Sequence, residues 1–179
     1  MKTLEFAVRR AVPTDVDAIV ATAGDAFMAD AFFKKPEYHV RFSNQDVQTM
    51  MKEPNAAFLV TQSTTDHAIY GCIYVEWTDD KVGHFSAVSV PKAFENQGVG
   101  RAMIQAAEDL VAACGCVKME ITVVSVRTDL FPFYERKGYQ RQIGPIQEYT
   151  FFADMLNDDH KHVHFVKMIK FLDPTPHFG

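Results

Sequence analysis

From Leu4 to Arg10 apolar and polar side chains alternate, the period of a strand with one buried face. In the Pro13-Thr14-Asp15-Val16-Asp17 run that follows, Thr14 and Asp17 stand in a capping-box relation. Val16, Ile19, Val20, Ala23 and Phe27 then recur at helical spacing to about Ala31. The pattern predicts a strand, a helix and a loop rich in aromatic residues, with Phe32, Phe33 and Tyr38. A shorter helix is expected from near Ser43, carrying Val47, Met50 and Met51. It ends at Pro54, because proline disfavours helical geometry in the residue before it.

Ala56 to Gln62 and Ala68 to Trp77 are β-rich runs joined by the polar Ser63-Thr64-Thr65-Asp66-His67, which predicts an antiparallel hairpin. A polar turn from Thr78 to Gly83 leads to a third strand of the meander, His84 to Val90, ended by Pro91. Val99, Met103, Ala106, Ala107, Leu110 and Val111 mark an amphipathic helix from Gly98 to about Ala113, with Gly115 placed to terminate it. Val117 to Val124 is rich in β-branched residues and reads as a strand. A short helix from about Leu130 to Lys137 tolerates Pro132 in its first turn and stops at Gly138. Tyr139 to Ile143 and His164 to Phe171 are expected to be closing strands on either side of a long polar and aromatic loop.

A chain of 179 residues fits one domain spanning 1–179. With 47% apolar and 23% charged residues it is neither disordered nor collagen-like. Its net charge of −5 is opposite to what binding a phosphate backbone needs, so nucleic acid is not an expected partner. Cys72, Cys114 and Cys116 are too few for a disulfide framework and are expected to be reduced thiols in the cytoplasm. The Cys-Gly-Cys spacing lacks a second ligand pair, and histidines such as His160, His162 and His164 on a loop or exposed strand are commoner than metal sites, so no metal site is expected. No stretch approaches the roughly 18 apolar residues of a membrane span, and Met1 to Arg10 mixes charged with apolar residues unlike a signal peptide.

The segment Val90-Pro91-Lys92-Ala93-Phe94-Glu95-Asn96-Gln97-Gly98-Val99-Gly100-Arg101-Ala102 runs from a strand end into a helix through paired glycines. Unpaired amides of a first helical turn, at the positive end of the helix dipole, suit a phosphate or pyrophosphate. A P-loop would need Gly-Lys-Ser/Thr where Arg101-Ala102 follows the second glycine, and a dinucleotide fingerprint would need a glycine where Met103 stands. About thirty residues on lies a second segment, Arg127-Thr128-Asp129-Leu130-Phe131-Pro132-Phe133-Tyr134-Glu135-Arg136-Lys137-Gly138-Tyr139.

With both segments in this order and spacing, the chain resembles the GNAT superfamily, the Gcn5-related N-acetyltransferases, from its first strand to about Phe171. The first segment is similar to that family's Arg/Gln-x-x-Gly-x-Gly/Ala loop and the second to its Asn-x-x-Ala-x-x-Phe-Tyr-x-x-x-Gly-Phe/Tyr motif. The resemblance implies an α/β (α+β) fold, a mixed and mostly antiparallel sheet flanked by helices. It also implies acetyl-CoA as acyl donor and direct transfer to a primary amine through a tetrahedral intermediate. In this reading the strand Val88-Ser89-Val90 splays from its parallel neighbour, its free backbone groups take pantetheine, and the Val90 amide faces the thioester oxygen. Asn96, Gln97, Gly98, Val99, Gly100 and Arg101 form the pyrophosphate loop, and Phe133 belongs to the same cofactor surface. Glu95 and Arg127 depart from the family's Arg/Gln and Asn, so Arg127 or Arg101 is expected to supply the missing positive charge.

Tyr134 aligns with the tyrosine that protonates the coenzyme A sulfur in many members, a role open to a phenol that is protonated at neutral pH. His84 stands where the histone-acetylating branch carries a glutamate base, with Glu76 as the alternative base. None of the cysteines falls in either motif, which argues against a thiol relay. Phe27, Phe32, Phe33, Tyr38 and Phe42 lie where the family's acceptor site is bordered, and Glu76, Asp79, Asp80, Asp154, Asp158 and Asp159 have the sign to suit a cationic small-molecule acceptor. A non-catalytic acyl-CoA-binding sensor or assembly module, and a peptide or protein N-acetyltransferase, are the alternative readings. A homodimer through the final strands would be in keeping with the family.

Overall fold

A computed structural model describes residues 4–27, 41–144 and 163–173. Its strands are β1 (Phe6–Arg10), β2 (Ala56–Ser63), β3 (Ile69–Trp77), β4 (Val82–Ser89), β5 (Lys118–Val124), β6 (Gln140–Arg141) and β7 (Phe165–Phe171). They form one sheet in the order β1-β2-β3-β4-β5-β7-β6, antiparallel except where β4 meets β5. The helices are α1 (Val16–Phe27), α2 (Asn44–Met50), α3 (Val99–Ala113) and α4 (Leu130–Glu135). This is the mixed, mostly antiparallel sheet with flanking helices that the resemblance implied.

Strand alternation divides the core between the two faces of the sheet. Leu59, Ile73, Val75, Phe85, Met119, Ile121 and Met168 point to one face, under Val99, Met103, Ile104, Ala107 and Val111 of α3. Ala56, Phe58, Val60, Cys72 and Tyr74 point to the other, against Val16, Ile19 and Ala23 of α1 and Val47 of α2. A buried polar knot ties α3 to β7: the Tyr139 hydroxyl donates to Glu108 Oε1 at 2.8 Å, and Lys170 Nζ donates to Glu108 Oε2 at 2.6 Å. Glu108 is 4% exposed, so both of its oxygens are satisfied within the protein, as burial of a charge requires.

The predicted elements recur with three differences. The first helix is not opened by Thr14 and Asp17. Pro13–Asp15 form a 3-10 turn in which the Asp15 carboxylate accepts from the Val12 amide at 2.8 Å and from both terminal nitrogens of Arg9. That fork holds the Asp15 carboxyl below the usual carboxylate range, against a smaller opposing effect of burial. Tertiary pairing with β1 therefore outweighed the local capping pattern. Gly83 lies inside β4 rather than in the preceding turn, because a Cβ there would stand 2.7 Å from Val111 Cγ2 and only glycine lets α3 settle on the strand. The penultimate strand is shortened to Gln140–Arg141, as the ring of Tyr139 turns into the core.

The second helix starts near Ser43 as expected, and Ser43 caps it, accepting from the Asp46 amide. The end of the first helix near Ala31, the aromatic residues Phe32, Phe33 and Tyr38, the acidic residues Asp154, Asp158 and Asp159, and His160 and His162 lie outside the described residues. Phe42 packs edge-on against Phe58, with ring centroids 6.0 Å apart. No helix among the described residues is long and apolar enough to cross a membrane.

Thr61 sits in the centre of β2 with no exposed surface, and its hydroxyl has no hydrogen-bond partner. An unpaired buried hydroxyl opposes folding. Thr61→Val keeps the shape and removes that cost, so it should raise the free energy of unfolding by about 1 kcal/mol in a urea titration.

Candidate active site

The parallel contact between β4 and β5 is short. Val82 pairs with Lys118, Gly83 with Met119 and His84 with Glu120, and there it stops. Beyond this point β5 stays with β7 through Val124, whereas β4 follows β3. The reason is an extra residue in β4: Ser86 is opposite Tyr74 and Ser89 opposite Cys72, three steps on one strand against two on the other. Ala87 takes up the surplus with φ at 54°, in the left-handed region. Backbone groups from Phe85 to Val90 are thereby released on the side facing β5, where a wedge opens between the strands.

Tyr134 of α4 lies beside this wedge. Its ring is 6.0 Å from that of Phe85, the first β4 residue past the parallel pairing, and 5.8 Å from that of Tyr139. Phe133 stands edge-on to it at 5.2 Å, and Val88 and Val90 pack on the same apolar cluster. Burial pushes the Tyr134 phenol up to about 12, with Arg127 opposing and Asp129 reinforcing the shift. The hydroxyl is therefore a proton donor across the whole neutral range.

The glycine segment closes the end of the wedge. Asn96 and Gly98 are left-handed, at φ 58° and 85°, and Gln97 is braced by its side-chain amide donating to the Ala93 carbonyl at 2.9 Å. Gly98 is the N-cap of α3 and has no side chain to cap with, and the first turn carries no acidic residue. The Ala102 amide donates to the Gly98 carbonyl at 3.0 Å, so the amides of Val99, Gly100 and Arg101 precede the first intrahelical bond. A Cβ at Gly98 would meet nothing within 4 Å, and one at Gly100 would meet only Val90 Cγ2, at 3.7 Å. The protein's own packing thus does not require glycine at position 100, whereas close approach of an anion to three free amides would.

Two of the expected cations differ in their engagement. Arg127 forks onto Asp129 at 3.1 and 3.0 Å and holds that carboxyl below its usual range. Arg101 is exposed on the first turn of α3. The sequence reading assigned no role to Lys137, whose ammonium lies 4.7 Å over the Phe133 ring. Its pKa is lowered by burial first and by the charge of Arg101 second, which puts a second cation near the start of α3. It falls within the second motif, but its proximity to Arg101 depends on how α4 packs and has no local signature.

Glu76 and His84 are direct cross-strand partners, and His84 is in turn opposite Glu120. Residues in such a row share a face, and theirs is opposite to that of Phe85 and Tyr134. Glu120, which the sequence reading did not single out, accepts from Lys118 at 2.6 Å and pairs with Lys167 at 3.2 Å. Burial would raise its pKa, but the two ammonium groups bring it below the ordinary value. Among the described residues no three His, Cys, Asp or Glu side chains are grouped to hold a metal ion.

Residues 26–155 match the acetyltransferase (GNAT) domain family. The chain belongs to this family, whose members take the acetyl group from acetyl-CoA. Among solved structures it resembles PaiA N-acetyltransferase of Thermoplasma acidophilum in complex with coenzyme A, with a TM-score of 0.73 and 13% identity over 94% of this chain and 99% of that one. A GNAT acetyltransferase of Streptococcus pneumoniae gives 0.71 and 15% over 94% and 100%. The ribosomal-protein-S18-alanine N-acetyltransferase of Escherichia coli gives 0.71 and 14% over 97% and 98%. None of the curated proteins matches the sequence.

Two outcomes follow from this geometry. Gly100→Ala should leave the fold as stable or up to about 1 kcal/mol more stable in thermal unfolding while weakening acetyl-CoA binding in calorimetry, because the added Cβ strains nothing in the protein and obstructs the amides. The raised Tyr134 pKa means that its proton is retained as pH climbs. Ultraviolet difference titration of the wild type against Tyr134→Phe should show no phenolate from this residue below pH about 10.

Proposed function

We propose that the protein is an N-acetyltransferase that moves the acetyl group of acetyl-CoA directly to a primary amine on a cationic small molecule. The observation that carries this reading is the wedge between β4 and β5, with a proton donor, Tyr134, on one side of the sheet and a proton acceptor row, Glu76 and His84, on the other. Transfer from a thioester to an amine needs a neutral nucleophile, support for the oxyanion and a proton for the departing thiolate.

In this reading His84 takes the proton of the attacking ammonium, with Glu76 beside it as the alternative base. The Val90 amide donates to the carbonyl oxygen as its charge develops. Backbone groups of Val88 and Ser89 hold the pantetheine arm, and Phe133 covers the cofactor. Asn96 and Gln97 shape the loop, and the amides of Gly98, Val99, Gly100 and Arg101 receive the pyrophosphate. Tyr134 donates its proton to the thiolate. Arg101, with Lys137 near it, supplies the charge that Glu95 does not, and Arg127 acts from its pair with Asp129. The three cysteines are free thiols, which supports a reducing compartment such as the cytoplasm.

The test is release of free thiol from acetyl-CoA against a panel of amines, amino acids, amino sugars and basic peptides. Turnover is expected with small cationic amines, and Tyr134→Phe should lower kcat by about 100-fold while the acetyl-CoA Kd stays within about twofold. Arg101→Ala should instead raise that Kd by about tenfold. Acetyl-CoA binding without turnover on any acceptor would mark a binding module, and turnover confined to peptides would move the acceptor to that class.

A further inference from the structure

Three aromatic rings meet beside the wedge. The Tyr139 ring is edge-on to that of Phe85, at 6.0 Å and 82°, and to that of Tyr134, at 5.8 Å and 71°. Phe85 and Tyr134 are in turn 6.0 Å apart. Phe85 follows the last residue of β4 that pairs with β5, and Tyr134 carries the proton of the proposed reaction. The Tyr139 amide also donates to the Tyr134 carbonyl at 3.2 Å, so its backbone and its ring both lie against the same residue.

The Tyr134 hydroxyl makes no hydrogen bond to another described residue. Within that part of the chain, ring packing sets its direction. Phe85 and Phe133 pack on it without a polar anchor of their own, whereas the Tyr139 hydroxyl donates to Glu108 Oε1 and Lys170 holds the other oxygen of that carboxylate. Burial first, and the charge of Glu108 second, push the Tyr139 phenol far above its ordinary range. Its proton therefore stays in the bond to Glu108 at neutral pH. Burying a carboxylate, an ammonium and a phenol contributes little net stability compared with apolar groups of the same volume. A fully satisfied polar cluster contributes direction instead, because its bonds admit one arrangement of the side chains.

We propose that Tyr139, anchored by Glu108, is a positioning residue: the bond to Glu108 fixes a ring that in turn holds the Tyr134 hydroxyl toward the departing thiolate. The inference rests on the transferase reading above and adds to it a residue that acts through Tyr134. The anchor also joins the other parts of the site. Glu108 lies on α3, whose first turn presents the free amides, and Lys170 of β7 is opposite Met119 of β5, itself opposite Gly83 where β4 and β5 still pair. One buried carboxylate thus ties the phenol to the phosphate end of the site and to the far wall of the wedge.

The experiment compares the wild type with Tyr139→Phe, Lys170→Met, Tyr134→Phe and the double variant Tyr134→Phe/Tyr139→Phe, at a temperature where thermal unfolding shows each to be folded. Tyr139→Phe keeps the ring and removes its anchor. It should lower kcat by about tenfold while the acetyl-CoA Kd stays within about twofold. Lys170→Met should lower the unfolding temperature but leave Tyr139 its bond to Glu108, so kcat should stay within about twofold of wild type. In the Tyr134→Phe background Tyr139→Phe should cost nothing further, because the hydroxyl that it positions is gone. Nuclear magnetic resonance of ring-labelled tyrosine in the coenzyme A complex reads the same anchor without turnover. The Tyr134 signals, identified by their loss in Tyr134→Phe, should show a slowly flipping ring in the wild type and flipping at least about tenfold faster in Tyr139→Phe. A rapidly flipping Tyr134 in the wild type, unchanged kcat in folded Tyr139→Phe, equal kcat losses in Tyr139→Phe and Lys170→Met, or losses that multiply in the double variant overturn the inference and leave the transferase reading standing. Faster flipping in Tyr139→Phe with no acetylation of any amine supports the anchor and overturns the transferase reading.

Discussion

One surplus residue in β4 governs the rest of the site. With Ala87 in the left-handed region, the strand takes three steps where β3 takes two, and it leaves β5 after His84. A ladder that ran on would satisfy its own amides and carbonyls and leave no room between the strands. The bulge keeps β4 on β3, where the core holds it, and frees the opposite edge, so unpaired backbone is available without loss of the sheet.

The two faces of the sheet then take different work. The α3 face is sealed by an aliphatic and aromatic cluster and by the Glu108 knot with Tyr139 and Lys170, so α3 and β7 are fixed relative to each other. That rigidity sets the free amides of the α3 start at one end of the wedge and the Tyr134 phenol beside it. The other face bears Glu76, His84 and Glu120 in one cross-strand row, on the side away from Tyr134. In the proposed reading, a wedge open between two such faces suits a reaction whose nucleophile approaches from one side while the leaving thiolate receives its proton on the other.

Charge completes the arrangement. The first turn of α3 has no acidic residue, and Arg101 and Lys137 lie near each other there, whereas the Glu76 carboxylate is carried on the opposite face of the sheet. In the proposed reading an anionic donor and a cationic acceptor are favoured at different ends of one site, although the chain as a whole has a net charge of −5.

Local patterns sufficed for the elements and for the two motifs. The 3.6-residue period of α3, the β-branched run of β5, the helix start near Ser43 and the stops at Gly115 and Gly138 depend on neighbours a few residues away, and the structure agrees with the sequence at each. The Gly98-x-Gly100 loop and Phe133-Tyr134 were legible for the same reason. What lay beyond the sequence was cross-strand alignment. Asp15 serves Arg9 and Val12 instead of leaving the cap to Thr14 and Asp17, and Gly83 belongs to a strand because Val111 rests on it. The adjacency of His84 to Glu120 and the nearness of Lys137 to Arg101 likewise join residues distant along the chain. Periodicity determines which face a side chain takes within its own element. Register, bulge and helix packing determine which side chains meet, and those are properties of the assembled sheet.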